Sequence, residues 1–181
     1  ILIEASSGLV LCEKNADLIL PMASTTKIMT ALVAIENGGN LDRIIKVSPL
    51  ATGVEGTTIY LYAGEDITLR SLLYAVLLQS ANDAAAAIAI DIGGSIEGFA
   101  QMMNQKASDL GLCHTHFDNP HGLDSKNHYT TARELAKITV AALQNKEFAR
   151  MVSTKKVSIP VAGQDTTRYL TNHNRLLFSY K

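Results

Sequence analysis

The chain has 181 residues, 47% of them hydrophobic, with sixteen Lys or Arg against seventeen Asp or Glu for a formal net charge of −1. That supplies a sizeable core for one large domain or two closely packed lobes. The balanced charge, without a run of Lys or Arg, argues against a nucleic-acid or anionic-membrane surface, and every apolar stretch falls short of the roughly 20 residues needed to span a bilayer.

The sequence opens on Ile1-Leu2-Ile3, with no Met, inside what reads as a strand; the expectation is that an upstream segment has been removed. Ile1 to Glu4 and Leu9 to Glu13 flank Ser6-Ser7-Gly8 and predict a β-hairpin. Pro21-Met22-Ala23-Ser24-Thr25-Thr26-Lys27 then starts a helix whose residues Ile28, Met29, Ala31, Leu32, Val33, Ala34 and Ile35 leave almost no polar face, so it should cross a core until Gly38-Gly39 ends it. On a helix, residues three apart share a face, which puts the Lys27 amine within reach of the Ser24 hydroxyl. A serine needs such a neighbouring base to attack a carbonyl, and Ser24 in the first turn would also have free backbone N–H groups near it. A Ser-x-x-Lys spacing also arises by chance, but a lysine at the mouth of a buried helix needs a reason.

Leu41 to Leu50 and Thr57 to Tyr62 lean towards short β pieces, broken by Gly53, Gly56 and Gly64. Thr68 fits the N-cap of a helix over Leu69 to Gln79. Ser80-Ala81-Asn82-Asp83 then interrupts a hydrophobic region before an Ala-rich helix, Ala84 to Ile92, ended by Gly93-Gly94. Ser and Asn in a buried bridge need partners; they serve either as helix caps or as site residues. Ser95 caps a further helix to Leu110, with Gly111 as its stop. Phe117 to Asp124 is a turn-rich loop, and Thr131-Ala132-Arg133-Glu134 reads as a capping box, which makes Glu134 a cap and not an acid catalyst. Glu147 to Met151 predicts a short helical turn, and Lys155 to Pro160 a strand leading back to a sheet.

Four histidines, His114, His116, His121 and His128, lie close together in the chain but lack the helical pair or cysteine pairs usual in zinc sites. Satisfied loop histidines are the default, and no metal is assigned. No phosphate-binding loop occurs, so no cofactor is expected. Cys12 and Cys113 neither define nor exclude a disulfide, and Cys113 beside His114 does not make a catalytic dyad.

Ser24-Thr25-Thr26-Lys27 followed by Ser80-Ala81-Asn82 resembles the first two active-site motifs of the penicillin-binding proteins and serine β-lactamases. Ala23 to Thr30, Ser80 to Ala84, Asn119 to Leu123, His128 to Leu135 and Asn174 to Leu177 are similar to the low-molecular-mass D-alanyl-D-alanine carboxypeptidases, across essentially the whole chain. The resemblance implies a mixed α/β fold of the β-lactamase/transpeptidase kind, an antiparallel sheet flanked by helices plus a helical lobe. Residues 1–44 and 152–181 would belong to the sheet-containing lobe and 45–151 to the mainly helical one. It implies Ser24 as nucleophile, Lys27 as proton acceptor, Ser80 as proton relay, and Asn82 as a substrate-backbone contact that also holds Lys27.

The implied partners are the peptidoglycan pentapeptide and β-lactam antibiotics, and the implied location is extracytoplasmic, at the cell wall or the outer face of the cytoplasmic membrane, with any membrane tether outside this chain. The family's third motif, Lys-Thr-Gly, does not occur before Lys181; the expectation is a fragment with an incomplete sheet. Two rivals remain. A class A β-lactamase normally carries Ser-Asp-Asn where this chain has Ser80-Ala81-Asn82, and a loop glutamate where Phe117 to Asp124 offers only Asp118 and Asp124. The other is a non-catalytic relative that holds wall peptides.

Overall fold

The computed structural model describes residues 1–180. Its elements are β1 (Leu2–Ile3), β2 (Val10–Cys12), α1 (Lys27–Asn37), β3 (Ile44–Lys46), β4 (Asp66–Thr68), α2 (Leu69–Gln79), α3 (Asn82–Gly93), α4 (Ile96–Asp109), α5 (Ala132–Gln144), α6 (Lys146–Val152), β5 (Lys156–Pro160), β6 (Thr167–Thr171) and α7 (Leu176–Ser179). Helices combine with antiparallel strands as expected, and the strands pair as three two-stranded ribbons, β1–β2, β3–β4 and β5–β6. Among the described residues no helix is long and apolar enough to cross a membrane.

The helices supply the core. In α3 every residue from Asn82 to Ala89 is buried, and its small side chains admit α1, α2 and α4 against it. Helix α1 buries Met29 and the run from Ala31 to Ala34 and packs on all five helices from α2 to α6. The large buried side chains Leu32, Leu72, Leu73, Phe99 and Met103 fill the space between them, each contributing roughly 1.5–3 kcal/mol of apolar burial.

Helix starts follow the sequence closely. The Thr68 hydroxyl accepts from the Ser71 amide at 3.1 Å, and Ser95 from Gly98 at 2.9 Å. Thr131 accepts from the Glu134 amide at 3.1 Å, but the Glu134 carboxylate does not turn back to complete a capping box. It accepts instead from the Cys113 amide at 2.9 Å and the His114 amide at 3.0 Å, tying α5 to the segment that leads into the 117–124 loop. Arg133 in the same turn forms ion pairs with Glu13 and Asp17, both at 2.7 Å, and so fastens the β1–β2 hairpin to α5.

Residues 57–62 form no strand. The amides of Ile59 and Leu61 donate to the buried Asp83 carboxylate, at 3.1 and 3.0 Å. Across from them Arg168 on β6 donates to the carbonyls of Ile59 (2.7 Å) and Tyr60 (3.0 Å) and pairs with Glu65, which is 1% exposed. A carboxylate and a guanidinium thus do the work of neighbouring strands. Strand β6, which the sequence reading did not foresee, exists as the partner of β5 and the carrier of Arg168.

Removing one member of a buried ion pair leaves the other uncompensated, at a cost of about 3–5 kcal/mol. Arg168→Met is therefore expected to lower the unfolding free energy by that order in urea titration; a loss under about 1 kcal/mol would show that Glu65 does not need its partner.

Candidate active site

Residues Ala23–Thr26 form a 3-10 turn, and α1 begins only at Lys27. The predicted α-helical first turn around Ser24 is thus a tighter coil with three residues per turn, in which positions i and i+3 eclipse. That aligns Ser24 with Lys27 more directly than an α-helix would. The Lys27 Nζ lies 3.0 Å from Ser24 Oγ and 2.6 Å from the carbonyl oxygen of His121. Ser24 is exposed whereas Lys27 is only 3% exposed.

Burial disfavours the ammonium form and lowers the Lys27 pKa from 10.5 to about 8. As an ammonium it donates to both oxygens. Once neutral it keeps an N–H for the His121 carbonyl and turns its lone pair to the Ser24 hydroxyl. Burial, with the Lys27 charge second and His128 third, lowers the His121 pKa to about 4, so that imidazole stays neutral beside the amine.

The loop from Asp118 to Gly122 is pressed onto the Ser24 turn. Thr30 on α1 donates its hydroxyl to the Pro120 carbonyl at 2.6 Å, and the Asn119 side chain accepts from the Gly122 amide at 2.7 Å. Gly122 has φ +90°, and a Cβ there would lie 1.9 Å from the Ala23 carbonyl oxygen. Ala23 itself has φ +46°, a conformation costing a non-glycine residue about 1–3 kcal/mol. That strain sits directly before Ser24.

The second group of predicted residues lies between α2 and α3. Ser80 ends α2 with a left-handed backbone, φ 58°, in the place glycine usually takes. Asn82 is buried as the first residue of α3, whose N-cap, Ala81, offers no side-chain bond. The Asn82 side chain is therefore not a cap. Its amide nitrogen donates to the Glu55 carbonyl at 2.6 Å, and its backbone N–H to Thr57 at 2.7 Å. Gly56 (φ +92°) allows this approach, since a Cβ there would meet Asn82 Nδ2 at 2.7 Å. The bond expected from Asn82 to Lys27 is not formed; the His121 carbonyl takes that place on the amine.

Sequence reasoning thus paired Ser24 with Lys27 and missed what holds them. His121 acts through its backbone, which carries no side-chain signature. Asp83 stood out only as part of the polar interruption from Ser80 to Asp83, with nothing in the sequence to mark it as the anchor of Ile59 and Leu61. Cys12 and Cys113 are free and exposed, and among the described residues no three His, Cys, Asp or Glu side chains group as a metal site.

The fold is that of the transpeptidases. The Streptomyces K15 DD-transpeptidase matches 99% of this chain and 74% of its own, with TM-score 0.92 at 33% identity. An evolved penicillin-binding protein homologue from Mycobacterium tuberculosis matches 98% of this chain and 67% of its own, with TM-score 0.92 at 31% identity. At the level of family, the peptidase S11 model, described as D-alanyl-D-alanine carboxypeptidase, matches residues 1–181. The chain belongs to that family. It is 36% identical to the D-alanyl-D-alanine carboxypeptidase DacF of Bacillus subtilis, over 99% of this chain and 47% of the relative. It is 33% identical to DacC of Escherichia coli, over 99% of this chain and 46% of the relative. The chain thus spans about half the length of these curated relatives.

Gly122→Ala would place a methyl carbon on the Ala23 carbonyl and is expected to cost about 2 kcal/mol or more in unfolding free energy. The same variant should slow covalent labelling of Ser24; wild-type stability together with wild-type labelling would contradict the close packing of loop on turn.

Proposed function

We propose that the protein is a serine D-alanyl-D-alanine carboxypeptidase with Ser24 as its nucleophile. The observation that carries this reading is the 3.0 Å approach of a buried, pKa-lowered amine to an exposed hydroxyl. Ser24 Oγ attacks the carbonyl between the two terminal D-alanines of a peptidoglycan stem peptide as its proton passes to neutral Lys27. The C–N bond then breaks, and the departing D-alanine amine takes up a proton relayed through Ser80. Water hydrolyses the resulting ester and restores Ser24. Asn82 contacts the substrate backbone, and the backbone N–H of Ser24 is one oxyanion donor, such donors being worth about 3–4 kcal/mol of barrier each. The names of the relatives support the substrate class.

The same chemistry would open a β-lactam ring and leave a long-lived acyl-enzyme, since the 117–124 loop carries no glutamate to activate a deacylating water. A substrate in the cell wall places the protein outside the cytoplasmic membrane. In this reading residues 1–44 and 152–181 form the sheet-containing lobe and 45–151 the helical one.

Incubation with penicillin followed by mass spectrometry is expected to show one adduct, on Ser24, and none in Ser24→Ala. Ser24→Ala should also release no D-alanine from a diacylated peptide ending in D-Ala-D-Ala. An adduct elsewhere, or rapid turnover of the drug, would overturn the assignment. Because the reactive form of Lys27 is the neutral amine, the acylation rate should rise with pH and level off above about 8; a rate flat between pH 6 and 9 would contradict a titrating Lys27.

A further inference from the structure

His128 is a buried histidine, 3% exposed, far from Ser24 in sequence and outside the predicted site. Its ring Nδ1 receives the Asp118 backbone N–H at 3.1 Å. An amide N–H only donates, so Nδ1 carries no proton and the ring hydrogen is on Nε2. Nε2 lies 2.7 Å from Thr26 Oγ1, and that hydroxyl lies 2.7 Å from the Ala23 carbonyl oxygen. With Nε2 as donor, the hydroxyl proton is left for Ala23. One directed chain results: Asp118 N–H to His128, His128 to Thr26, Thr26 to Ala23.

Both ends of this chain bear on the reacting pair. Ala23 is the left-handed residue immediately before Ser24, and its carbonyl is the atom against which Gly122 packs. Asp118 starts the loop whose His121 carbonyl receives the Lys27 amine. The ring is held edge-on by Phe117, centroids 5.9 Å apart. Burial lowers the His128 pKa, against opposing pulls from Asp118 and Asp124 and with His116 adding to it; the neutral tautomer that the chain requires is the favoured one.

We propose that His128 is a positioning residue for acyl transfer: by clamping the Ala23 carbonyl through Thr26 and the Asp118 amide directly, it sets the Ser24 hydroxyl and the Lys27 acceptor loop in register. The inference rests on Ser24 being the nucleophile. It assigns His128 no contact with substrate and no proton transfer to it, so its loss should slow the chemical step and leave reversible binding intact.

Acylation by benzylpenicillin, followed over a range of drug concentrations, separates the first-order acylation constant from the reversible dissociation constant. His128→Ala is expected to lower the acylation constant about tenfold or more with the dissociation constant within about twofold of wild type, the pattern of lost positioning. His128→Gln, which keeps an uncharged donor near the Nε2 position, should recover most of that loss. Thr26→Val, nearly the same shape without the hydroxyl, should resemble His128→Ala, and the double variant should be no slower than either single one.

If His128→Ala does not fold, Thr26→Val and His128→Gln carry the test alone. Wild-type acylation in Thr26→Val, losses that multiply in the double variant, or a His128→Gln as slow as His128→Ala would overturn the proposal. Ser24→Ala keeps the two readings apart: undiminished acylation there removes the nucleophile assignment, whereas a dead Ser24→Ala beside a wild-type-like Thr26→Val removes only the positioning role.

Discussion

A lysine amine kept out of water beside a serine is the constraint on which this structure turns. Lys27 ends a 3-10 turn and begins a helix that packs on five others, so its stem has nowhere to go but inward. A pKa near 8 against 10.5 for the free side chain represents a cost on the order of 3 kcal/mol at neutral pH. That cost is borne below pH 8, where the folded amine must be protonated in its apolar site. It fades as pH rises towards the unfolded value, because the unfolded chain then holds the proton that the folded chain has already lost. A structural lysine would gain nothing from this arrangement. A general base gains a lone pair at working pH.

Around that amine the architecture is one of clamps from distant parts of the chain. The 118–122 loop lends a carbonyl to Lys27, is bonded to Thr30 through Pro120, and presses Gly122 on the strained Ala23. Loop residues are held to α5 in turn, since Glu134 takes the amides of Cys113 and His114 and Thr130 exchanges both backbone hydrogen bonds with Leu20 just before the Ser24 turn. On the other side the Asp83 carboxylate and Arg168 stretch residues 59–61 between them, while Asn82 is seated against residues 55–57. Buried hydrogen bonds of this kind fix conformation more than they add stability, as a site with left-handed Ala23 and Ser80 requires.

Much of this was written locally and could be read locally. Thr68, Ser95 and Thr131 announced three helix starts because a hydroxyl reaching two or three residues forward needs no tertiary partner. Ser24 and Lys27 were legible for the same reason, their spacing bringing them together within one turn. What eluded the sequence is long-range. Thr57 to Tyr62 has the composition of a strand, yet its amides are claimed by Asp83 from a helix, and β6 is recognisable only once β5 lies beside it. Glu134 fits a capping box by spacing, but three donors across the loop, the Cys113 and His114 amides and the Thr115 hydroxyl, outbid the N-cap amide. His121 and His128 looked like ordinary loop histidines, and satisfied they are; that they are satisfied by Leu123, Asp118 and the Ser24 turn is a matter of the folded chain alone.

The reactivity of Ser24 depends on one proton on the Lys27 amine. Titration of the lysine side chains by NMR on isotope-labelled protein observes it directly, without substrate and without turnover. One resonance, absent in Lys27→Arg, is expected to titrate near pH 8. A Lys27 resonance titrating at the free side-chain value of about 10.4 would mean that the buried amine stays charged throughout the working range, and the reading of Lys27 as the base for Ser24 would fall.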